Sequence, residues 1–156
     1  MLVYNIDTMD TIEPTINISK QVKGIAAELV ASSYFVQRGY QVSVPVSKFG
    51  EYDLILDDGH SLSRVQVKTV YWDNSKKRYL LSCVTSHIRK SPEKNRNKKY
   101  TLTSFDWLVG ICLDTGHIYQ IPISKIAGRR SITVYPITQP EDKGNFEQYR
   151  MGLYQQ

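Results

Sequence analysis

Residues 52–70 read YDLILDDGHSLSRVQVKTV, and the rest of the chain is best interpreted outward from them. Two runs of apolar and β-branched residues, Tyr52–Leu56 and Arg64–Val70, flank Asp57-Asp58-Gly59-His60, where Asp and Gly supply the backbone freedom of a tight turn. A β-hairpin is therefore expected. Side chains alternate between the two faces of a strand, so Val65, Val67 and Thr69 point one way and Gln66 and Lys68 the other. Pairing through the turn sets Asp53 beside that polar pair. A sheet that takes Leu54, Ile55, Val65 and Val67 for its core leaves such polar residues exposed or in use.

Upstream of the hairpin the pattern is helical. Ser19 is an N-cap, and Val22, Ile25, Ala26, Leu29, Ser33 and Val36 fall on one face at i, i+3, i+4 spacing before Gly39 ends the run. Glu28 lies on the flank of that face, where it can lean over the sheet edge that carries Asp53. Further strands are expected at Tyr40–Val46, Tyr79–Thr85, Phe105–Leu113, His117–Ile121 and Ser131–Tyr135. A short helix is expected at Ile123–Ala127. Phe105–Leu113 is nearly continuous apolar, the mark of a buried central strand. This order of elements defines an α+β (mixed α/β) fold with one central, mixed β-sheet flanked by helices and mostly antiparallel strands.

The 156 residues fit one domain. It divides into an N-terminal arm at 1–18, a core at 19–135 that includes a basic loop at 86–104, and a tail at 136–156. Apolar residues make up 41% of the chain and no apolar run reaches membrane-spanning length, which excludes a disordered or membrane-inserted class. Cys83 and Cys112 have no CxxC partner and read as buried free thiols of a cytoplasmic protein. His60, His87 and His117 are too scattered for zinc, and no P-loop, dinucleotide fingerprint or Gly-x-Ser-x-Gly elbow is present.

The net charge of +5 is concentrated. Lys76, Lys77, Arg78, Arg89, Lys90, Lys94, Arg96, Lys98 and Lys99 face only Asp73 and Glu93 in one stretch, leaving the remainder slightly acidic. Such a cationic segment, interspersed with Ser and Asn, offers the donors that phosphates and base edges accept. Tyr71, Trp72, Tyr79 and Tyr100 flank it, either for sugar and base contacts or for packing. The acidic cluster adds chemistry that a plain phosphate binder does not need. Glu28, Asp53 and the Gln66 amide oxygen are hard ligands suited to Mg²⁺. Lys68, two residues beyond Gln66 on the same strand face, can orient a water or steady developing negative charge.

With Glu28 on a helix, then Asp53, then Gln66-Val67-Lys68, the chain resembles the PD-(D/E)XK nuclease superfamily. Lys23-Gly24-Ile25-Ala26-Ala27-Glu28 is similar to its N-terminal helix signature, with Gly39-Tyr40 following. The basic stretch leading into Tyr100, then Asp106 and a buried strand, resembles the homing endonucleases of that superfamily associated with group I introns, of the cyanobacterial type. The resemblance runs from Gln21 to Ile123.

It implies a restriction-endonuclease-like core and Mg²⁺-dependent, site-specific hydrolysis of double-stranded DNA. Asp53 would bind the metal, with Gln66 and the Val67 carbonyl as further ligands. Glu28 would bind through water or hold a second ion, and Lys68 would position the attacking water. Glu51 is an alternative ligand. Tyr52 stands where the family name has Pro, and Gln66 replaces the second motif acid, so the site carries less charge and should hold metal more weakly. One chain supplies one centre, so cutting both strands calls for a homo-oligomer, a dimer or a dimer of dimers. Phe146, Tyr149, Met151, Leu153 and Tyr154 are candidates for its interface. A Holliday-junction resolvase-like nuclease and a non-catalytic nucleic-acid-binding module are the alternative readings.

Overall fold

The computed structural model describes residues 19–47, 50–85, 98–136 and 146–154. The expected N-terminal arm, most of the basic loop with Arg89, Lys90, Lys94 and Arg96, and part of the tail lie outside the described residues.

The chain opens with helix α1 (Lys20–Val36), whose first turn is capped by Ser19 Oγ accepting from Val22 N–H at 3.3 Å. Gly39 then adopts φ +87°, a left-handed conformation that favours glycine and turns the chain into strand β1 (Gln41–Ser43). The hairpin of β2 (Leu54–Asp57) and β3 (Leu62–Thr69) follows as expected. Its turn is held by Asp57 Oδ1 accepting from Gly59 N–H and Asp58 Oδ1 accepting from His60 and Ser61 N–H. Next come β4 (Tyr71–Asp73), β5 (Arg78–Ser82), β6 (Trp107–Ile111), β7 (His117–Pro122), α2 (Ile123–Ile126) and β8 (Ser131–Val134). A single 3₁₀ turn at Glu147–Tyr149 leads into β9 (Arg150–Leu153).

Six strands form a mixed sheet in the order β1-β2-β3-β6-β7-β9, in which β3 and β6 run parallel and the other neighbours antiparallel. Leu108, Val109, Gly110 and Ile111 of β6 are all buried, as a strand covered on both faces requires. One central sheet is not the whole architecture. A second, three-stranded sheet, β4-β5-β8, lies beyond it. Directly after β3, Val70 turns inward and Tyr71 and Trp72 outward, so the chain leaves the first sheet and starts another.

The mixed sheet separates two apolar clusters. On one face α1 contributes Ala27, Ala31, Tyr34 and Phe35 against Leu54, Leu56, Val65, Val67, Val109 and Ile111. On the other, Val70, Leu81, Cys83, Tyr100, Phe105, Leu108 and Tyr119 pack together. The two layers meet closely at Gly110, where a Cβ would stand 2.8 Å from Leu81 Cδ2 and 3.2 Å from Val70 Cγ2.

One expectation is corrected here. The helix buries the opposite face from the one its periodicity suggests. Val22, Ile25, Leu29 and Val36 are 51%, 58%, 67% and 57% exposed, while Ala27 and Ala31 are fully buried. Two small residues one turn apart let the helix backbone approach β3, and Tyr34 and Phe35 fill the space beyond. Of the tail residues, Phe146, Tyr149 and Tyr154 are partly buried. They pack against this chain's own core, while Met151 stays exposed.

Candidate active site

The N-terminal half of α1, the edge of the hairpin and the ends of two later segments enclose a cleft of about 340 Å³. Lys20, Gly24 and Glu28, spaced one helical turn apart, line one side. Asp53, Gln66, Val67, Lys68 and Thr69 line the sheet side, and Gly50, Glu51, Thr85 and Tyr100 complete the wall. The helix is tied to the strand by the Thr69 hydroxyl, which donates to Lys23 O at 3.4 Å.

Asp53 sits where the register expects it. Its backbone N–H donates to Val65 O at 2.8 Å, and its Oδ2 accepts from Val67 N–H at 2.8 Å. The Gln66 carboxamide, 8% exposed, donates through Nε2 to Asp53 Oδ2 and also to Val67 O at 3.2 Å. Three candidate ligand groups therefore converge on one spot. The amide NH₂ donates to both the Asp53 and Val67 oxygens, and with Gln66 turned to present Oε1 the three groups are oxygen donors of the kind that would suit a divalent cation. Among the described residues no three His, Cys, Asp or Glu side chains gather into a metal cluster. The set is an unusual one, completed by an amide and a backbone carbonyl.

Lys68 enters the cleft from β3 and is mostly buried. Burial pulls its ammonium below the usual lysine value, while the charges of Asp53 and Glu28 act to hold it up. A lysine held beside a carboxylate can fix a water by hydrogen bonding or steady developing negative charge. At the mouth, Lys98 Nζ lies 3.7 Å from Glu51 Oε1, an exposed pair that tethers the end of the basic loop to the cleft rim.

The structure thus brings Glu28, Asp53, Gln66, Val67 and Lys68 together. Lys76, Lys77, Arg78 and Lys99 are exposed and do not line the cleft, whereas Lys98 reaches its rim through Glu51. Cys83 and Cys112 are buried free thiols, as expected; burial pushes Cys83 up to about 12. Lys20, Gly50, Thr69, Thr85 and Tyr100 line the cleft without being site members in the sequence reading, although Tyr100 is one of the aromatics flanking the basic stretch. Lys20 was recoverable by counting two helical turns back from Glu28. Thr85 and Tyr100 were not, because a long-range strand bridge places them.

The helix-flanked mixed sheet, with a carboxylate-bearing hairpin running into its centre, is the architecture of restriction-endonuclease-like nucleases. The family model for PD-(D/E)XK endonucleases matches residues 18–151, and the chain belongs to that family. The fold is similar to that in "The structure of a bacterial homing endonuclease: I-Ssp6803I", at a TM-score of 0.74 and 21% identity over 85% of this chain and 89% of that one. A second solved structure, MepB, matches at a TM-score of 0.43 and 17% identity over 78% of this chain and 88% of that one. No curated protein matches the chain.

Proposed function

We propose that this endonuclease is a Mg²⁺-dependent, site-specific enzyme of the homing type that cuts double-stranded DNA in the cytoplasm as a single nuclease domain, working as a dimer or a dimer of dimers. The observation that carries the reading is the convergence of Asp53 Oδ2, the Gln66 carboxamide and the Val67 carbonyl beside Lys68 and Glu28 in one cleft. The likeness in fold to a homing endonuclease supports it.

Asp53, Gln66 through Oε1 and the Val67 carbonyl would hold the metal, and Glu28 would contribute through water. Bound there, the metal would supply Lewis acidity to the scissile phosphate and stabilise the attacking and leaving oxygens. The chain's own groups do the rest. Lys68 orients the attacking water and steadies developing negative charge. Asp53, held by Val67 N–H, keeps its carboxylate fixed. Lys76, Lys77, Arg78, Arg89, Lys90, Lys94, Arg96, Lys98 and Lys99 neutralise phosphates along the duplex. Cutting both strands needs two such centres related by symmetry, which is the reason for the oligomer.

The test is cleavage of a mixed plasmid and genomic fragment pool, in Mg²⁺ and in EDTA, by the parent chain, Asp53→Ala and Gln66→Glu. Discrete fragments that require Mg²⁺ and disappear in Asp53→Ala are expected. Gln66→Glu adds a charged ligand and should reach half-maximal rate at lower Mg²⁺. Fragments that persist in EDTA or in Asp53→Ala would overturn the reading.

A further inference from the structure

Beyond the metal-ligand edge, the cleft has a second wall that the proposed hydrolysis has not used. Val84 and Lys99 form an antiparallel bridge, and Thr85 N–H donates to Lys98 O at 2.8 Å. Alternation of side chains about that bridge puts Cys83, Thr85, Lys98 and Tyr100 on a common face. Cys83 enters the core, Lys98 reaches Glu51, and Thr85 and Tyr100 line the cleft.

These two side chains are 6% and 2% exposed. Among the described residues, neither hydroxyl has a protein partner, yet no buried side-chain oxygen or nitrogen is left unsatisfied. Their oxygens therefore open onto the cleft, not the core. The Tyr100 ring is fixed edge-on against Phe105 at 4.7 Å, and its backbone carbonyl accepts from Gly128 N–H at 3.0 Å. The phenol is held in place, with a polar tip directed at the space that Asp53 and Lys68 share.

We infer that Thr85 and Tyr100 are substrate-contacting residues, whose hydroxyls donate hydrogen bonds to non-bridging oxygens of the phosphate in the cleft. The inference rests on the nuclease reading for its substrate and extends it to a wall with no assigned role. A phosphodiester entering this cleft meets Glu28, Glu51 and Asp53, which repel it. Lys98 is engaged with Glu51, and Lys68 is drawn toward Asp53. Neutral hydroxyls add donors without competing for the cation, and Ser, Thr and Tyr hydroxyls are regular phosphate contacts. As charge grows on those oxygens during hydrolysis, fixed donors hold it at no cost in reorganisation. Burial, reinforced by the charges of Asp53 and Glu51, raises the Tyr100 phenol, so it remains a proton donor throughout the neutral range.

The experiment uses the full chain carrying Tyr100→Phe, Thr85→Val or Thr85→Ser, with thermal melting as the check on folding. Two readouts are taken: cleavage of the fragment pool in Mg²⁺, and filter retention of the same duplex pool in Ca²⁺. Tyr100→Phe and Thr85→Val should each cut about tenfold more slowly and retain DNA several-fold more weakly. Thr85→Ser keeps the hydroxyl and should stay within about twofold of the parent chain. Parent-like cleavage and retention in both Tyr100→Phe and Thr85→Val would overturn the inference. Equal losses in Thr85→Val and Thr85→Ser would do the same, by assigning the effect to packing. If the parent chain does not cut at all, the nuclease reading fails. Retention alone then decides the hydroxyls: weaker in the two deletions supports them, unchanged refutes them.

Discussion

Arg64 and Asp106 lie 42 positions apart in the chain, yet they lock the parallel pair on which the candidate site stands. The Asp106 Oδ2 accepts from Arg64 backbone N–H at 2.7 Å, and Asp106 N–H returns a bond to Arg64 O at 2.9 Å. Their side chains add a 3.3 Å contact between Arg64 Nη2 and Asp106 Oδ1. The register of β6 against β3 starts from this clamp, one residue before Val65 meets Trp107.

The clamp makes stability sensitive to acid. Burial pushes the Asp106 carboxyl up, but the backbone N–H, side chain and charge of Arg64 together hold it below the usual value. A depressed carboxylate stabilises the fold above its unfolded value of 3.8 and loses that contribution as pH falls through the folded one. Urea unfolding of Asp106→Asn should show lower stability at pH 7 and a shallower decline below about pH 4. Parallel profiles for the two chains would assign the acid loss elsewhere.

Gly110 decides how closely the two sheets pack. A methyl group there would meet Leu81 at 2.8 Å, and Leu81 is fully buried. Gly110→Ala should cost about 1–3 kcal/mol in denaturant unfolding. In a Leu81→Ala background the same change should cost much less, because the obstructing methyl is gone. A cost that does not depend on residue 81 would exclude this contact as the cause.

Glu147 is a buried carboxylate, 5% exposed, that joins the tail to the core. It accepts from Tyr135 N–H at 2.7 Å and from the Tyr119 hydroxyl at 3.2 Å, and pairs with Arg150 Nε at 3.4 Å. Glu147→Ala leaves the arginine and two donors without their acceptor, and should lower stability by about 3 kcal/mol. Removing Tyr119's hydroxyl as well, in a double-mutant cycle with Tyr119→Phe, should be less than additive.

The two faces of α1 give opposite expectations. Leu29→Glu and Ile25→Lys change exposed positions and should shift unfolding by no more than about 0.5 kcal/mol. Ala31→Met inserts a long side chain between the helix and the sheet and should cost about 1–3 kcal/mol. If Leu29→Glu proved as damaging as Ala31→Met, the orientation of the helix would be wrong.

Much of the site was legible because it is local. Asp53, Gln66, Val67 and Lys68 belong to one hairpin, and a turn plus period-two alternation determines which of them are neighbours. The helix limits were equally plain from Ser19 and Gly39. The helix face was not. Val22, Ile25, Leu29 and Val36 compete with Ala27, Ala31, Tyr34 and Phe35, and a hydrophobicity pattern ranks the larger aliphatics first. Close packing instead chose the row whose alanines admit the sheet. The second sheet, and the Thr85–Tyr100 wall with it, depends on pairings between distant segments that no local period encodes. The packing of Phe146 and Tyr149 is hidden in sequence for the same reason: the core they partly cover lies far away along the chain.

That division between local and distant pairing also bears on the order in which the molecule assembles. The β2–β3 hairpin closes over a few residues, so Asp53, Gln66 and Val67 can meet while most of the chain is still unfolded. Parallel pairing of β3 with β6 must wait for the whole intervening segment to be drawn in, a slower event with a larger loop-closure cost. Late folding then brings up Thr85 and Tyr100 and buries Lys68. A nascent chain would hold Asp53, Gln66 and Val67 together well before it possessed an enclosed cleft, and would be unable to hydrolyse anything until its last long-range contacts were made.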